Sequence, residues 1–295
     1  MKNNFINIIF VLFLSVSILY PQEKKEMKEL LIRCDDIGMS HSVNVAAEKL
    51  VKTGIPFSAS VMFPCPWYQE AVDILKNHSQ VTVGIHLTLN AEWKNYRWGP
   101  VSGRSAVPSL VDSLGYFFPS RASFEANRPK LNEIEIELRA QIERAIHSGL
   151  DIKYVDYHMS TAVDKPEYRA ILEKLANEYH LGISRYFGEK DIKNMYFDPV
   201  KSKADSLYKT LSGLSPDQIN LLVCHIGVDN PELRAMTDLN PFGPKDMSKN
   251  RNAELNALIS PKLLKVIKAN NIKLINYSDL ISKVGLKNMK RPPEE

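Results

Sequence analysis

Five places along the 295-residue chain hold side chains suited to hydrolytic chemistry. Asp35 and Asp36 are adjacent, His86 lies in Gly-Ile-His-Leu, and Asp156 and His158 fall in Tyr-Val-Asp-Tyr-His. Arg185 and His225 follow farther along. One carboxylate and two neutral imidazoles give three bonds to Zn²⁺ or a similar divalent ion and leave positions for water or substrate. A second carboxylate beside that ion could take a proton from the water. Two adjacent carboxylates repel, so a bound cation is welcome there, with one acid as ligand and the other as base. Each residue has an ordinary alternative: Asp36 or Ser40 could cap a helix, and each histidine could be a hydrogen-bonded core residue. Their joint placement at strand ends favours a metal site.

That placement depends on the elements around them. Apolar, β-rich runs at Leu30–Cys34, Phe57–Phe63, Val81–Leu89, Lys153–His158, Gly182–Arg185, Ile219–His225 and Ile272–Ile275 read as strands. Most are too apolar to keep one face in water, as expected of parallel strands covered on both sides. Helical patterns lie between them at Val43–Lys52, Tyr68–Asn77, Leu131–His147, Pro166–Tyr179, Asp198–Leu211 and Pro261–Asn270. Leu131, Ile134, Leu138, Ile142 and Ala145 recur at helical spacing, with Asn132 available as a cap and Gly149 as a stop. Strand–helix alternation of this length implies parallel βα units, either an open sheet or a barrel. The polar candidates then converge where the strands' carboxyl ends meet. Long irregular stretches at 90–130 and 226–250 carry Trp93, Tyr96, Trp98 and Phe242, which could stack on a ligand or pack the loops.

Composition sets the outer limits. Hydrophobic residues at 44% and charged residues at 24% exclude disorder and collagen as overall descriptions. With 38 Lys plus Arg against 34 Asp plus Glu, the net charge of +4 gives no reason to expect nucleic acid. Three cysteines cannot build a disulfide framework; Cys34 and Cys224 read as small core residues and Cys65 as a loop residue. Residues 1–22, MKNNFINIIFVLFLSVSILYPQ, have the charged start, apolar middle and polar exit of a signal peptide. An uncleaved anchor is the alternative, since the apolar run is near the lower limit for a membrane span. Removal would take one lysine and no acid, lowering +4 to +3. The expected product is a single domain over residues 28–295, secreted or periplasmic, with no membrane contact after processing. A homodimer is compatible with the sequence, but nothing in it requires one.

Several segments resemble the YdjC-like carbohydrate deacetylases, also called the ChbG/HpnK group. Arg33-Cys34-Asp35-Asp36-Ile37-Gly38-Met39-Ser40 resembles the family's A-D-D-F-G-x-S opening. Val83 to Leu89 resembles its G-x-H-x-x-L segment, Tyr154 to His158 its H-x-D-x-H, and Val223-Cys224-His225 its M-C-H-P. Arg251 to Leu258 and Ile272 to Leu280 resemble its closing R-x-x-E-x-x-x-L and G-I-x-L-x-x-x-x-D-L. The resemblance implies an irregular (β/α) barrel of about seven parallel strands, polysaccharide-deacetylase-like, and divalent-metal hydrolysis of a sugar's N-acetyl group. It implies Asp36, His86 and His158 as ligands of one ion, Mg²⁺ or Zn²⁺ first among the choices. It further implies Asp35 as general base, His225 as the group facing the leaving amine, and Arg185 as a substrate contact. Trp93 and Trp98 are candidate sugar contacts. The chain departs from the family at Ser160 and Ala162, where histidines often stand, at Ile226, where proline is usual, and at Tyr154 and Arg33. A secreted phosphoesterase and a catalytically lapsed carbohydrate-binding protein are the competing readings.

Overall fold

The structure, a computed structural model, describes residues 26–241 and 243–293, so segment 1–22 and Phe242 lie outside it. The described strands are β1 (Lys28–Ile37), β2 (Phe57–Val61), β3 (Val81–Leu87), β4 (Ile152–Tyr157), β5 (Gly182–Ile183), β6 (Glu189–Asp191), β7 (Ile219–Cys224) and β8 (Ile272–Ile275). Every pairing is parallel, in the order β5-β4-β3-β2-β1-β7-β6, with β8 joined to the first half of β1. The helices are α1 (His41–Val51), α2 (Tyr68–Leu75), α3 (Arg121–Ala126), α4 (Leu131–His147), α5 (Pro166–Glu178), α6 (Lys203–Ser212), α7 (Pro231–Arg234), α8 (Met247–Ile259), α9 (Pro261–Ala269) and α10 (Tyr277–Val284). None of the described helices is long and apolar enough to cross a membrane.

Period-two alternation divides the sheet's two faces. On β1, Leu30, Ile32 and Cys34 join the large outer core under the helices, while Leu31 joins a smaller inner core. The inner face is curled: Arg33 on β1 donates to Ser184 just past β5 at 2.6 Å, although β2, β3 and β4 lie between them in the sheet. β5 and β6 do not pair with each other, so the barrel stays open along that side. Its floor is apolar and aromatic, with Leu31, Leu221, Ile275, Phe187 and Leu280 around Tyr154 and Tyr277, whose ring centroids are 4.1 Å apart. Polar side chains occupy the layer above, toward the carboxyl ends of the strands.

The seven expected strands are all present, most with shorter ends. β6 was not foreseen, because Glu189, Lys190 and Asp191 form a short polar edge strand without a hydrophobic pattern. α4 spans the expected residues, but its N-cap is Lys130 and Asn132 lies inside the helix. Gly149 follows its end at φ +81°, where a side chain would be strained. α8 was also missed. Its buried face mixes Asn250, Arg251 and Glu254 with Leu255 and Leu258, which breaks the apolar period that reveals a helix.

Gly84 shows how tightly the inner layer is packed. A Cβ there would stand 2.3–2.6 Å from ring atoms of Tyr154, and that ring is held by Tyr277 and by the Ser60 hydroxyl at 2.7 Å. Gly84→Ala should therefore cost about 2 kcal/mol through overpacking, a fall of roughly 4–8 °C in the thermal midpoint. An unchanged midpoint in a melting experiment would contradict this packing.

Candidate active site

Strict alternation would send Asp35 and Asp36 to opposite faces of the sheet. A bulge prevents this: Cys34 pairs with Ala59 and Ile37 with Val61, so β1 carries one extra residue there. Asp36 absorbs it in the left-handed region at φ +64°, and both carboxylates face the inner cavity. Ser40, not Asp36, caps α1, accepting from the Val43 N–H. On β3 and β4 the register sets His86 beside Asp156. His158 immediately follows β4, and Met159 and Ser160 after it are both left-handed, at φ +51° and +60°. Such backbone strain in two successive non-glycine residues is usual only where the surroundings enforce it.

The three expected ligands converge. Asp36 Oδ1 lies 3.4 Å from His86 Nε2 and 3.3 Å from His158 Nδ1, and the two imidazole nitrogens are 3.3 Å apart. Each ring's other nitrogen is held by a carboxylate: His86 Nδ1 by Asp156 Oδ1 at 2.8 Å, His158 Nε2 by Glu92 Oε2 at 2.9 Å. In the neutral rings these bonds place the proton on His86 Nδ1 and His158 Nε2 and turn the other nitrogen of each toward Asp36, the arrangement that orients histidines on a metal. Asp36 Oδ2 accepts from Arg251 Nη2 at 2.6 Å, whereas Oδ1 is buried without a hydrogen bond. An orphaned carboxylate oxygen facing two imidazole nitrogens fits a divalent cation.

A second grouping, Asp35, His86 and Asp156, also lies close together, but its oxygens are occupied. Arg33 binds Asp35 bidentately at 2.7 Å through Nε and 2.7 Å through Nη2. Asp156 Oδ2 accepts from the Ser60 hydroxyl at 2.6 Å and forms an ion pair with the Arg33 guanidinium, its Nε 2.8 Å away. Charge adds a further argument. The carboxylates of Asp35, Asp36, Glu92 and Asp156 face the guanidiniums of Arg33 and Arg251, which leaves two negative charges unmatched. One divalent ion, or a proton on each imidazole, supplies that balance.

Burial alone would lower both imidazole pKa values, but the carboxylates win. Asp156 and Asp35 push His86 up to about 10, and Glu92 and Asp36 push His158 up to about 9. Burial would raise the Asp35 carboxyl, yet Arg33, with His86 behind it, holds it at about 2. Arg251 similarly overrides burial at Asp36 and keeps it ionised. His225 goes the other way: desolvation depresses it, so it is neutral at rest, and its Nδ1 is buried without a hydrogen bond.

These groups line a cavity of about 300 Å³ together with Trp93, Tyr157, Tyr196, Phe197, Asp238 and Arg185. Arg185 sits at its edge in a left-handed turn after β5, not in the strand expected there, paired bidentately with Asp191 at 2.6 and 2.8 Å. The two tryptophans are corrected. Trp98 is 4% exposed, donates to the Asn90 carbonyl at 2.7 Å and packs edge-on against His158, so it supports a ligand and cannot stack on a sugar. Trp93 reaches the cavity wall, but only 1% of it is exposed and Arg251 lies 5.6 Å above its ring. Tyr96 is tied to the Met39 carbonyl at 2.5 Å. Sequence reasoning missed Glu92 and Arg33 as site residues; Arg33 two places before Asp35, on the same strand face, was the available signal.

A curled parallel sheet with an Asp–His–His group at its carboxyl ends defines a class of (β/α) hydrolase folds, and comparison with known proteins narrows it. The YdjC-like protein family model matches residues 29–269, and the chain belongs to that family. Relatives named carbohydrate deacetylase include one from Thermoanaerobacter pseudethanolicus, 27% identical over 270 residues, covering 86% of this chain and 100% of the relative. Another, from Brevibacillus brevis, is 29% identical over 260 residues and covers 85% and 99%. An Enterococcus faecalis crystal structure, provisionally described as a cellobiose-phosphate cleavage protein, superposes with a TM-score of 0.69 at 21% identity, covering 86% and 99%. The Xyl-CE4 domain of a xylanase from the Trinervitermes trinervoides hindgut metagenome gives 0.51 at 9% identity, covering 90% and 95%. The polysaccharide-deacetylase-like fold is thereby shared.

The charge balance predicts that metal and protons compete. In the metal-free protein the histidine protons stabilise the fold fully below the ordinary value of about 6.5, and that stability is lost as pH rises through about 9 and 10. Zn²⁺ binding at pH 7 should therefore release up to about two protons, read by calorimetry in buffers of different ionisation enthalpy. The metal-induced rise in thermal midpoint should grow between pH 6 and 9. Binding without proton release would refute the balance.

Proposed function

We propose that the protein is a metal-dependent carbohydrate deacetylase that hydrolyses the N-acetyl amide of an acetylated sugar or oligosaccharide. The observation that carries this reading is the unbonded Asp36 Oδ1 facing His86 and His158, with Asp35 and His225 lining the same cavity. The activity named for the curated relatives supports it. A cation held by Asp36, His86 and His158 would supply a Lewis acid for the acetyl carbonyl and lower the pKa of a water molecule. Two imidazole donors favour Zn²⁺ over Mg²⁺.

The chain's own residues do the rest. Asp35, kept ionised by Arg33, accepts the proton of the attacking water, and the bidentate pair fixes the direction of its oxygens. His225, neutral at rest, lines the same cavity, and the proton that Asp35 takes from the attacking water is the one passed on, directly or through His225, to the departing amine. Arg251 and Glu92 hold Asp36 and His158 in place. The cavity is small for a ligand site, so one residue of an oligosaccharide enters and the remainder lies across the mouth. A phosphoesterase fits less well, because the deep guanidiniums, Arg33 and Arg251, are already engaged by carboxylates. We further propose that the protein works outside the cytoplasm, on the signal-like residues 1–22.

Acetate release from N-acetylated sugars, measured with added Zn²⁺ and again with chelator, tests the reading; release should be lost with chelator. Asp36→Asn, His86→Ala and His158→Ala should lose metal and turnover together. Asp35→Asn and His225→Ala should keep the metal while kcat falls by about 10²–10⁴-fold. Full activity in any of the three ligand variants would sink the assignment.

A further inference from the structure

The long-loop tryptophans are buried, yet the cavity mouth does present an aromatic ring. Phe197, in the turn between β6 and α6, lines the cavity and is 76% exposed, the largest exposure of any large apolar side chain on the described surface. A ring left in water at a substrate cavity gains when an apolar face covers it. One face of a pyranose, where C–H bonds point outward, is such a surface. On the deacetylase reading above, we infer that Phe197 is the stacking platform for a sugar ring lying outside the cavity, next to the one whose acetyl group is cleaved.

The ring is held as a binding surface would need. Phe197 packs edge-on against Tyr196 with centroids 4.9 Å apart, and Tyr196 packs edge-on against His225 at 5.2 Å. The turn beneath is fixed by Lys203, a fully buried lysine on α6. Its ammonium donates to the Met195 carbonyl, to the Tyr196 carbonyl at 3.0 Å and to Glu254 Oε1 at 3.2 Å. The other oxygen of Glu254 accepts the His225 backbone N–H at 2.9 Å. One buried ion pair thus anchors both the aromatic turn and the proposed proton donor. Asn194 adds a side-chain bond to the Tyr196 N–H at 3.0 Å. The turn that carries the ring is therefore braced before any ligand arrives, which reduces the entropy lost on binding.

Binding of tri-N-acetylchitotriose and of N-acetyllactosamine to the Zn²⁺-loaded protein, followed by calorimetry in an Asp35→Asn background that keeps the metal and slows hydrolysis, tests this, with wild type at position 197 as the reference. Phe197→Ala should weaken at least one of them about tenfold, equivalent to about 1.4 kcal/mol, and Phe197→Tyr should restore it. N-acetylglucosamine, which has no second ring, should bind Phe197→Ala and wild type alike. Because the side chain is exposed, the thermal midpoint of the variant should not move. Equal affinities of wild type and Phe197→Ala for both probes, or binding of neither probe, would overturn the platform. So would a shift in oligomeric state on ultracentrifugation, which would make Phe197 a contact between copies. Acetate release in parallel reports separately on the deacetylase reading: turnover by wild type with no affinity difference removes only the platform.

Discussion

The site depends on the electrostatic cost of burying charge. Isolated ions in a protein interior are strongly disfavoured, and pairing repays that only when geometry and hydrogen bonding are nearly complete. Here Arg33 bridges Asp35 and Asp156, Asp156 holds His86, and Asp36 is held by Arg251 while facing both histidines. Glu92 closes the far end on His158. Both oxygens of Asp35 and of Asp156 have donors, whereas Asp36 Oδ1 is buried without one, and the set lacks two positive charges. The incomplete point and the missing charge coincide, and a cation would satisfy both.

That constraint explains otherwise odd features of the fold. A left-handed aspartate in a β-bulge and two left-handed residues after β4 are locally unfavourable, yet they bring Asp36 and His158 to one place. α8 gives up a clean apolar stripe so that Arg251 can reach Asp36 and Glu254 can reach His225 and Lys203. Gly84 lacks a side chain because Tyr154 fills that volume, and the Tyr154–Tyr277 pair beneath supports the polar layer. The barrel is apolar at its floor and ionic at its mouth, and the same strands build both.

Much of this was legible in the sequence. Apolar strand runs and helical periodicity placed Asp35, Asp36, His86, His158 and His225 at strand ends, and the parallel topology required them to meet. Elements without a hydrophobic pattern were not legible. β6 is three polar residues at an edge, and α8 is a helix whose buried face serves the site with polar groups. The aromatic residues misled for a related reason: Trp98 in a long loop looks available, but burying its ring is more favourable than leaving it in water, and the loop folds down onto His158.

The sequence by itself determined the fold class, the family motifs and the acid and imidazole residues, because these follow from local periodicity and residue chemistry. It could not say which aspartate of the pair faces the histidines. That was decided by the bulge at Asp36 and by Arg33, which occupies both oxygens of Asp35. Nor could it supply Glu92 as the partner of His158, or show that Arg251 of the closing motif holds Asp36 and that Lys203 braces Glu254, pairs 66, 215 and 51 residues apart along the chain. Residue type and spacing carry short-range information, whereas the protonation and direction of a buried charge depend on which distant groups the folded chain brings within hydrogen-bonding reach.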